Sequence, residues 1–173
     1  MSVEQTAQLI EDTLRDHEIE YSRDTPETFV AILPGERKYR TPVMLTVSEP
    51  GVRFESFVCR KPEENADGVH SFLLRRNARL YGVAYALDQM GDIYLVGRIA
   101  TSAVSADELD RVLGQILQAT DDDFNTLLEL GFAGAIRREW DWRVSRGESL
   151  HNLRAFTHLV DDDDAQARVA ESE

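Results

Sequence analysis

Three stretches of alternating apolar and polar residues between positions 28 and 59 constrain this chain most, because only short turns join them. In residues 28–33, Phe29, Ala31 and Leu33 alternate with Val30 and Ile32, and Pro34-Gly35 ends the run. Pro42 precedes a second run at 43–47. Glu49-Pro50-Gly51 then turns the chain into a third run, where Val52, Phe54, Ser56 and Val58 alternate with Arg53, Glu55, Phe57 and Cys59. A period of two is the period of a strand. Parallel strands need a long crossover, so these short links predict an antiparallel meander.

Helices flank the meander. Ser2 and Gln5 have capping-box spacing, and Val3, Ala7, Ile10 and Leu14 form one stripe that His17 continues. A second helix is expected to start at an Asp67 cap, show Val69, Phe72, Leu73 and Arg76 on one face, and end near Asn77. Tyr81, Val83, Tyr85 and Leu87 then alternate with Gly82, Ala84 and Ala86. This predicts a strand with one bulky face and one flat face that another element or chain can approach. A further strand follows at 93–99. Ser105-Ala106-Asp107-Glu108 predicts a capping box for a third helix carrying Leu109, Val112, Leu113, Ile116 and Leu117. Asp121, Asp122 and Asp123 either remain in that helix as solvated residues or break it, and Gly131 or Gly134 is the expected stop.

The expected fold is therefore α+β: helix, three-stranded antiparallel meander, helix, two-stranded hairpin, helix, with a helical C-terminal extension. The expected domains are 1–130, an extension at 131–160 that is partly helical, and an acidic tail at 161–173. Residues 157–173 hold six acids against one arginine, which predicts disorder.

With 173 residues the chain can bury a core without metal or disulfides, and Cys59 is its only cysteine. The opening residues carry no secretory signal pattern, and no stretch reaches the length of a membrane helix, so a cytoplasmic home and no membrane contact are expected. A formal net charge of −13 argues against general nucleic-acid binding. Three basic groups run against it: Arg37-Lys38-Tyr39-Arg40; Arg75, Arg76 and Arg79; and Arg137, Arg138, Arg143 and Arg146 around two tryptophans. Internal salt bridges are their favoured reading.

No P-loop, nucleophile elbow, dinucleotide fingerprint or zinc-protease motif is present, and the four histidines fall in separate elements. No catalytic residue, metal ligand or cofactor is expected. Large aromatic side chains suit protein contacts, so Tyr85, Tyr94, Phe132, Trp140 and Trp142 are the candidate partner-binding or dimer residues. The two tryptophans can equally cover their own domain.

The element order, with the residues that mark it over roughly 3–128, resembles the bacterial YbjN family, whose fold is similar to the type III secretion chaperones. The resemblance rests on the first helix, the strands at 29–33, 43–47 and 52–58, and Phe72-Leu73-Leu74-Arg75-Arg76-Asn77. It continues through the hairpin at 82–87 and 93–99 and through Ser105-Ala106-Asp107-Glu108-Leu109. It implies a homodimer that holds an extended polypeptide in apolar grooves, with strand addition at a sheet edge as a second mode, and a sensory or stress-regulatory role without catalysis. An enzyme or small-ligand domain with an unrecognised pocket, and a nucleic-acid-linked regulator, are the alternatives.

Overall fold

The capping box of the first helix is made in both directions. Ser2 Oγ accepts the Gln5 N–H at 3.2 Å, and Gln5 Oε1 accepts the Ser2 N–H at 2.9 Å. Helix α1 (Val3–Asp16) buries Ala7, Ile10 and Leu14, together with Thr6 and Thr13, whose hydroxyls bond back to the carbonyls of Ser2 and Leu9. His17 is exposed and lies 3.0 Å from Asp110. This computed structural model describes every residue except Asp162 and Glu173. The chain divides into two compact units, residues 1–61 with 71–124, and residues 62–70 with 125–173.

The first unit holds a six-stranded sheet in the order β1-β2-β3-β4-β6-β5, antiparallel throughout. Its strands are β1 (Glu20–Thr25), β2 (Thr28–Pro34), β3 (Arg40–Ser48), β4 (Gly51–Cys59), β5 (Val83–Leu87) and β6 (Ile93–Ala100). The expected order is present with one strand more. Strand β1 escapes the alternation rule because it is an edge strand exposed along nearly its whole length. Its residues answer to backbone pairing with β2, and its charges suit an edge that must not recruit further strands.

One sheet face is the core. Phe29, Ala31, Val43, Leu45, Val52, Phe54, Ile93 and Leu95 are buried there with Leu109, Val112, Leu113 and Ile116 of helix α3 (Ala106–Arg146). Buried hydroxyls on this side find partners: Thr41 lies 3.4 Å from Thr120, and Ser56 donates to the Pro42 carbonyl at 2.8 Å. Helix α2 (Ala66–Asn77) ends where expected, but Asp67 sits inside its first turn and does not cap it. Ser105 caps α3 by accepting the Glu108 N–H at 3.1 Å. The Glu108 carboxylate turns to Arg111 and leaves the box half made.

The three consecutive aspartates neither break α3 nor face solvent idly. Asp121 accepts the N–H groups of Arg37 and Lys38 at 2.7 and 3.0 Å, which pins the loop between β2 and β3. Asp122 lies 3.4 Å from Arg37. Asp123, only 5% exposed, accepts from Arg76 Nε and from the Tyr85 hydroxyl, both at 2.8 Å.

In the second unit α3 does not stop at either glycine. It bends at Phe132, whose φ of −141° is not helical. The freed Gly131 carbonyl accepts the N–H groups of Glu63 and Glu64, and Glu64 Oε1 accepts the Gly134 N–H at 2.6 Å. Further on, a 3₁₀ segment (His151–Leu159) and helix α4 (Ala165–Glu171) surround Trp140, which is buried with Leu150, Ala165 and Val169. Where acidic composition predicts disorder, residues 165–171 are helical. Asp162 and Glu173 of that tail lie outside the described residues.

Candidate functional site

The face of the sheet opposite the core carries side chains that a solvated antiparallel sheet would normally make polar. Ladder register sets them in rows. Val30, Met44, Glu55, Val96 and Ala84 lie in one row across β2, β3, β4, β6 and β5. Phe57, Tyr94 and Ala86 share the next row across β4, β6 and β5. All of these except Ala84, together with Pro42, Arg53, Leu87 and Asp88, line a groove of about 580 Å³. Met44 and Phe57 are each 37% exposed, and the Phe57 and Tyr94 rings meet edge to face at 5.5 Å. The flat side of β5 expected from Ala84 and Ala86 lies on this open face, while Val83 and Tyr85 point into the core.

Both sheet edges are obstructed. On β5, Asn77 Oδ1 accepts the Tyr85 N–H at 2.7 Å and Asn77 Nδ2 donates to the Tyr85 carbonyl at 3.1 Å. One side-chain amide thus occupies the backbone N–H and carbonyl of Tyr85, which leaves an added strand fewer groups to pair with at that edge. On β1, Glu20, Arg23 and Asp24 line the strand and its pairing slips between Arg23 and Thr25. Charge and irregularity both discourage edge pairing.

Of the five residues singled out by sequence, the structure brings Tyr94 alone to the groove. Tyr85 is buried on the core side, where burial first, and then the charge of Asp123, push its phenol well above the ordinary tyrosine range. Phe132 is buried at the bend of α3, and Trp140 is 2% exposed within its own unit. Trp142 is 44% exposed with the Arg146 guanidinium 5.5 Å from its ring. Sequence reasoning passed over Val30, Pro42, Met44, Phe57 and Val96. The signal for Val30 is in residues 28–33, which are apolar on both faces although antiparallel, and Met44, Phe57 and Val96 are likewise apolar residues at the outward positions of their strands.

Each arginine group has members that pair internally. Arg40 reaches Glu20 at 2.9 Å, Arg76 reaches Asp123 at 2.8 Å, Arg138 reaches Glu63 at 3.0 Å and Arg143 reaches Glu139 at 2.6 Å. Cys59 is buried, which pushes its thiol up to about 11 and leaves it a poor nucleophile. Among the described residues, no three His, Cys, Asp or Glu side chains gather as metal ligands would, and no helix is long and apolar enough to cross a membrane.

A model of the YbjN family, described as putative bacterial sensory transduction regulator, matches residues 6–129. The chain belongs to the YbjN family. Its relatives include an uncharacterized protein of Mycobacterium tuberculosis, 58% identical over 156 residues that cover 87% of this chain and 85% of that one. An uncharacterized protein of Mycobacterium leprae is 60% identical over 134 residues, covering 78% and 73%. Among solved structures, the ExsC–ExsE complex matches with a TM-score of 0.55 at 16% identity, over 73% of this chain and 97% of that one. YbjN from E. coli matches with a TM-score of 0.51 at 12% identity, over 68% and 89%. The ExoU–SpcU complex of the type III secretion system of Pseudomonas aeruginosa matches with a TM-score of 0.51 at 18% identity, over 71% and 98%. The YbjN fold seen here is thus the α+β, secretion-chaperone-like fold.

Proposed function

We propose that this chain is a non-catalytic protein-binding module, chaperone-like in its mode of action. On this reading the sheet face opposite the core holds an apolar segment of another polypeptide, and the module serves a regulatory role as a cytoplasmic homodimer. The observation that carries the reading is the largely apolar groove lined by Val30, Pro42, Met44, Phe57, Tyr94 and Val96 on the sheet face opposite the core. A contiguous apolar patch of this kind marks an interaction surface. The obstructed edges favour side-chain contact with the face over strand addition, and the groove's shallow, open form suits a chain better than an enclosed small molecule.

The test is fluorescence anisotropy with synthetic nonapeptides of alternating apolar and polar residues. Met44→Glu is expected to weaken binding by about 30-fold, as loss of a central apolar contact does. Met44 is part-exposed but pairs with Glu55 across the ladder, so the new like-charge pair should lower melting by the equivalent of about 1 kcal/mol at most. Equal binding by wild type and variant would remove the face from consideration. Sedimentation equilibrium at several concentrations reads the dimer separately.

A further inference from the structure

The open face is polarised along its strands. Beyond the apolar rows lies a row of Thr28, Thr46, Arg53 and Arg98, placed side by side by the registers of β2, β3, β4 and β6. Arg53 and Arg98 stand directly opposite each other, an arrangement of like charges that costs a sheet stability. Arg53 is relieved by Glu55, 2.6 Å away. Arg98 is exposed and has no ion-pair partner among the described residues. A smaller depression of about 260 Å³ opens beside these two arginines. It is lined by Arg53, Val96, Gly97 and Arg98, and it shares Arg53 and Val96 with the apolar groove. In a chain of net charge −13, an unpaired arginine beside a second arginine at the end of an apolar groove is out of keeping with its surroundings.

We infer that the segment held by this face carries a carboxylate, which sits between Arg53 and Arg98 while its apolar side chains fill the groove. The inference rests on reading the face as a protein-binding surface, and it names the partner's chemistry: an extended, acidic apolar peptide. The guanidinium fork matches a carboxylate in two parallel hydrogen bonds. Rows on one sheet face are about 6.8 Å apart, the distance between residues i and i+2 of an extended chain. The segment therefore has two apolar residues two apart and an acidic residue two further along.

The probes are fluorescein-labelled nonapeptides with valine and phenylalanine two apart, followed two residues later by glutamate, glutamine or lysine. Wild type is expected to bind the glutamate peptide about tenfold more tightly than the glutamine peptide, the worth of a charged hydrogen bond. Arg98→Gln should flatten that preference, and Arg98→Glu should turn it towards lysine. A melting temperature that does not fall confirms that both variants keep the fold, and relief of the opposed charges should raise it slightly. If wild type binds all three peptides alike while Met44→Glu still abolishes binding, the carboxylate inference is overturned and the face remains a protein-binding surface. If no peptide binds and Met44→Glu instead dissociates a dimer seen by sedimentation, the occupant is a second copy and the inference is overturned. If Met44→Glu alters neither binding nor assembly, the reading of the face falls with it.

Discussion

Asn77 does at the sheet edge what a peptide group of another strand would do. Its amide carries one acceptor and one donor at the spacing of the Tyr85 N–H and carbonyl, so it closes β5 without offering an edge of its own. Asn77→Ala should cost ~2 kcal/mol for two lost hydrogen bonds at a half-buried site. It should also raise the tendency to associate through β5, because an unblocked edge is a template for pairing. Urea unfolding checks the first effect and light scattering against concentration the second. A variant as stable and as monodisperse as the parent would show that the amide protects nothing. Cys59 gives a second prediction at this scale. With its thiol raised from 9.0 to about 11, chiefly by burial, the thiolate is about a hundredfold scarcer at pH 8 than in an ordinary thiol. Labelling by iodoacetamide should be correspondingly slow, rise about tenfold per pH unit until pH approaches 11, and reach normal rates in denaturant. An unreactive Cys59 is legible from its place in a strand, whereas the role of Asn77 is not. The partners of Asn77 lie across a turn whose geometry no local pattern encodes. Alternation does put Tyr94 and Tyr85 on opposite faces, but it does not say which face the helices leave bare.

The elements show where local pattern suffices and where it does not. Helix α1, with a full capping box and a regular stripe, is readable from sequence, and so are the three long central strands. Strand β1 is not, because an exposed edge strand has no buried side to reveal its period. The glycines of α3 were half legible. The helix is interrupted at Phe132, between Gly131 and Gly134, yet the chain bends there and resumes its helix, because residues 63 and 64 satisfy the exposed groups. Gly131 has little freedom to change, since an added Cβ would lie 3.1 Å from Pro62 Cβ and 3.2 Å from Val69 Cγ2. Glu64 serves as the cap of the helix that restarts. Glu64→Ala should therefore cost ~1 kcal/mol, the usual loss for a removed N-cap, and speed hydrogen exchange at the Gly134 amide. Glu63 also meets a positive partner, Arg138, but that guanidinium is largely exposed, so Glu63→Ala should change stability by only a few tenths of a kcal/mol, about the measured scatter. Equal losses from the two variants would show that charge, and not the capping geometry, holds the bend.

At the scale of the whole molecule, composition misleads where a few side chains decide. Acidic residues at 161–164, 171 and 173 predict a tail with nothing to bury, and by average hydropathy that holds. Yet Ala165 and Val169, four apart on α4, reach Trp140 together with Leu150, while Leu153 and Val160 pack against the same cluster. A seven-residue helix is too short for its period to register in sequence, and it gains its stability from the indole it covers. The last turn is tied back as well, since Ser172 Oγ accepts the Leu150 N–H at 2.9 Å. The C-terminal segment is thus a working part of its unit, and Trp140 reports on it directly. In a Trp142→Phe background, emission comes from Trp140 alone and should lie at the short wavelengths of a buried indole. Ending the chain after Arg146 removes Leu150, Leu153, Val160, Ala165 and Val169 together, so emission should move to the long wavelengths of a hydrated indole and quenching by acrylamide should rise several-fold. Val169→Glu in the full chain places a charge against the same indole and should reproduce part of that shift, because an unpaired buried carboxylate is expensive. A short-wavelength Trp140 in both chains would mean that its cover comes from residues before 147, and that the tail's composition was the better guide.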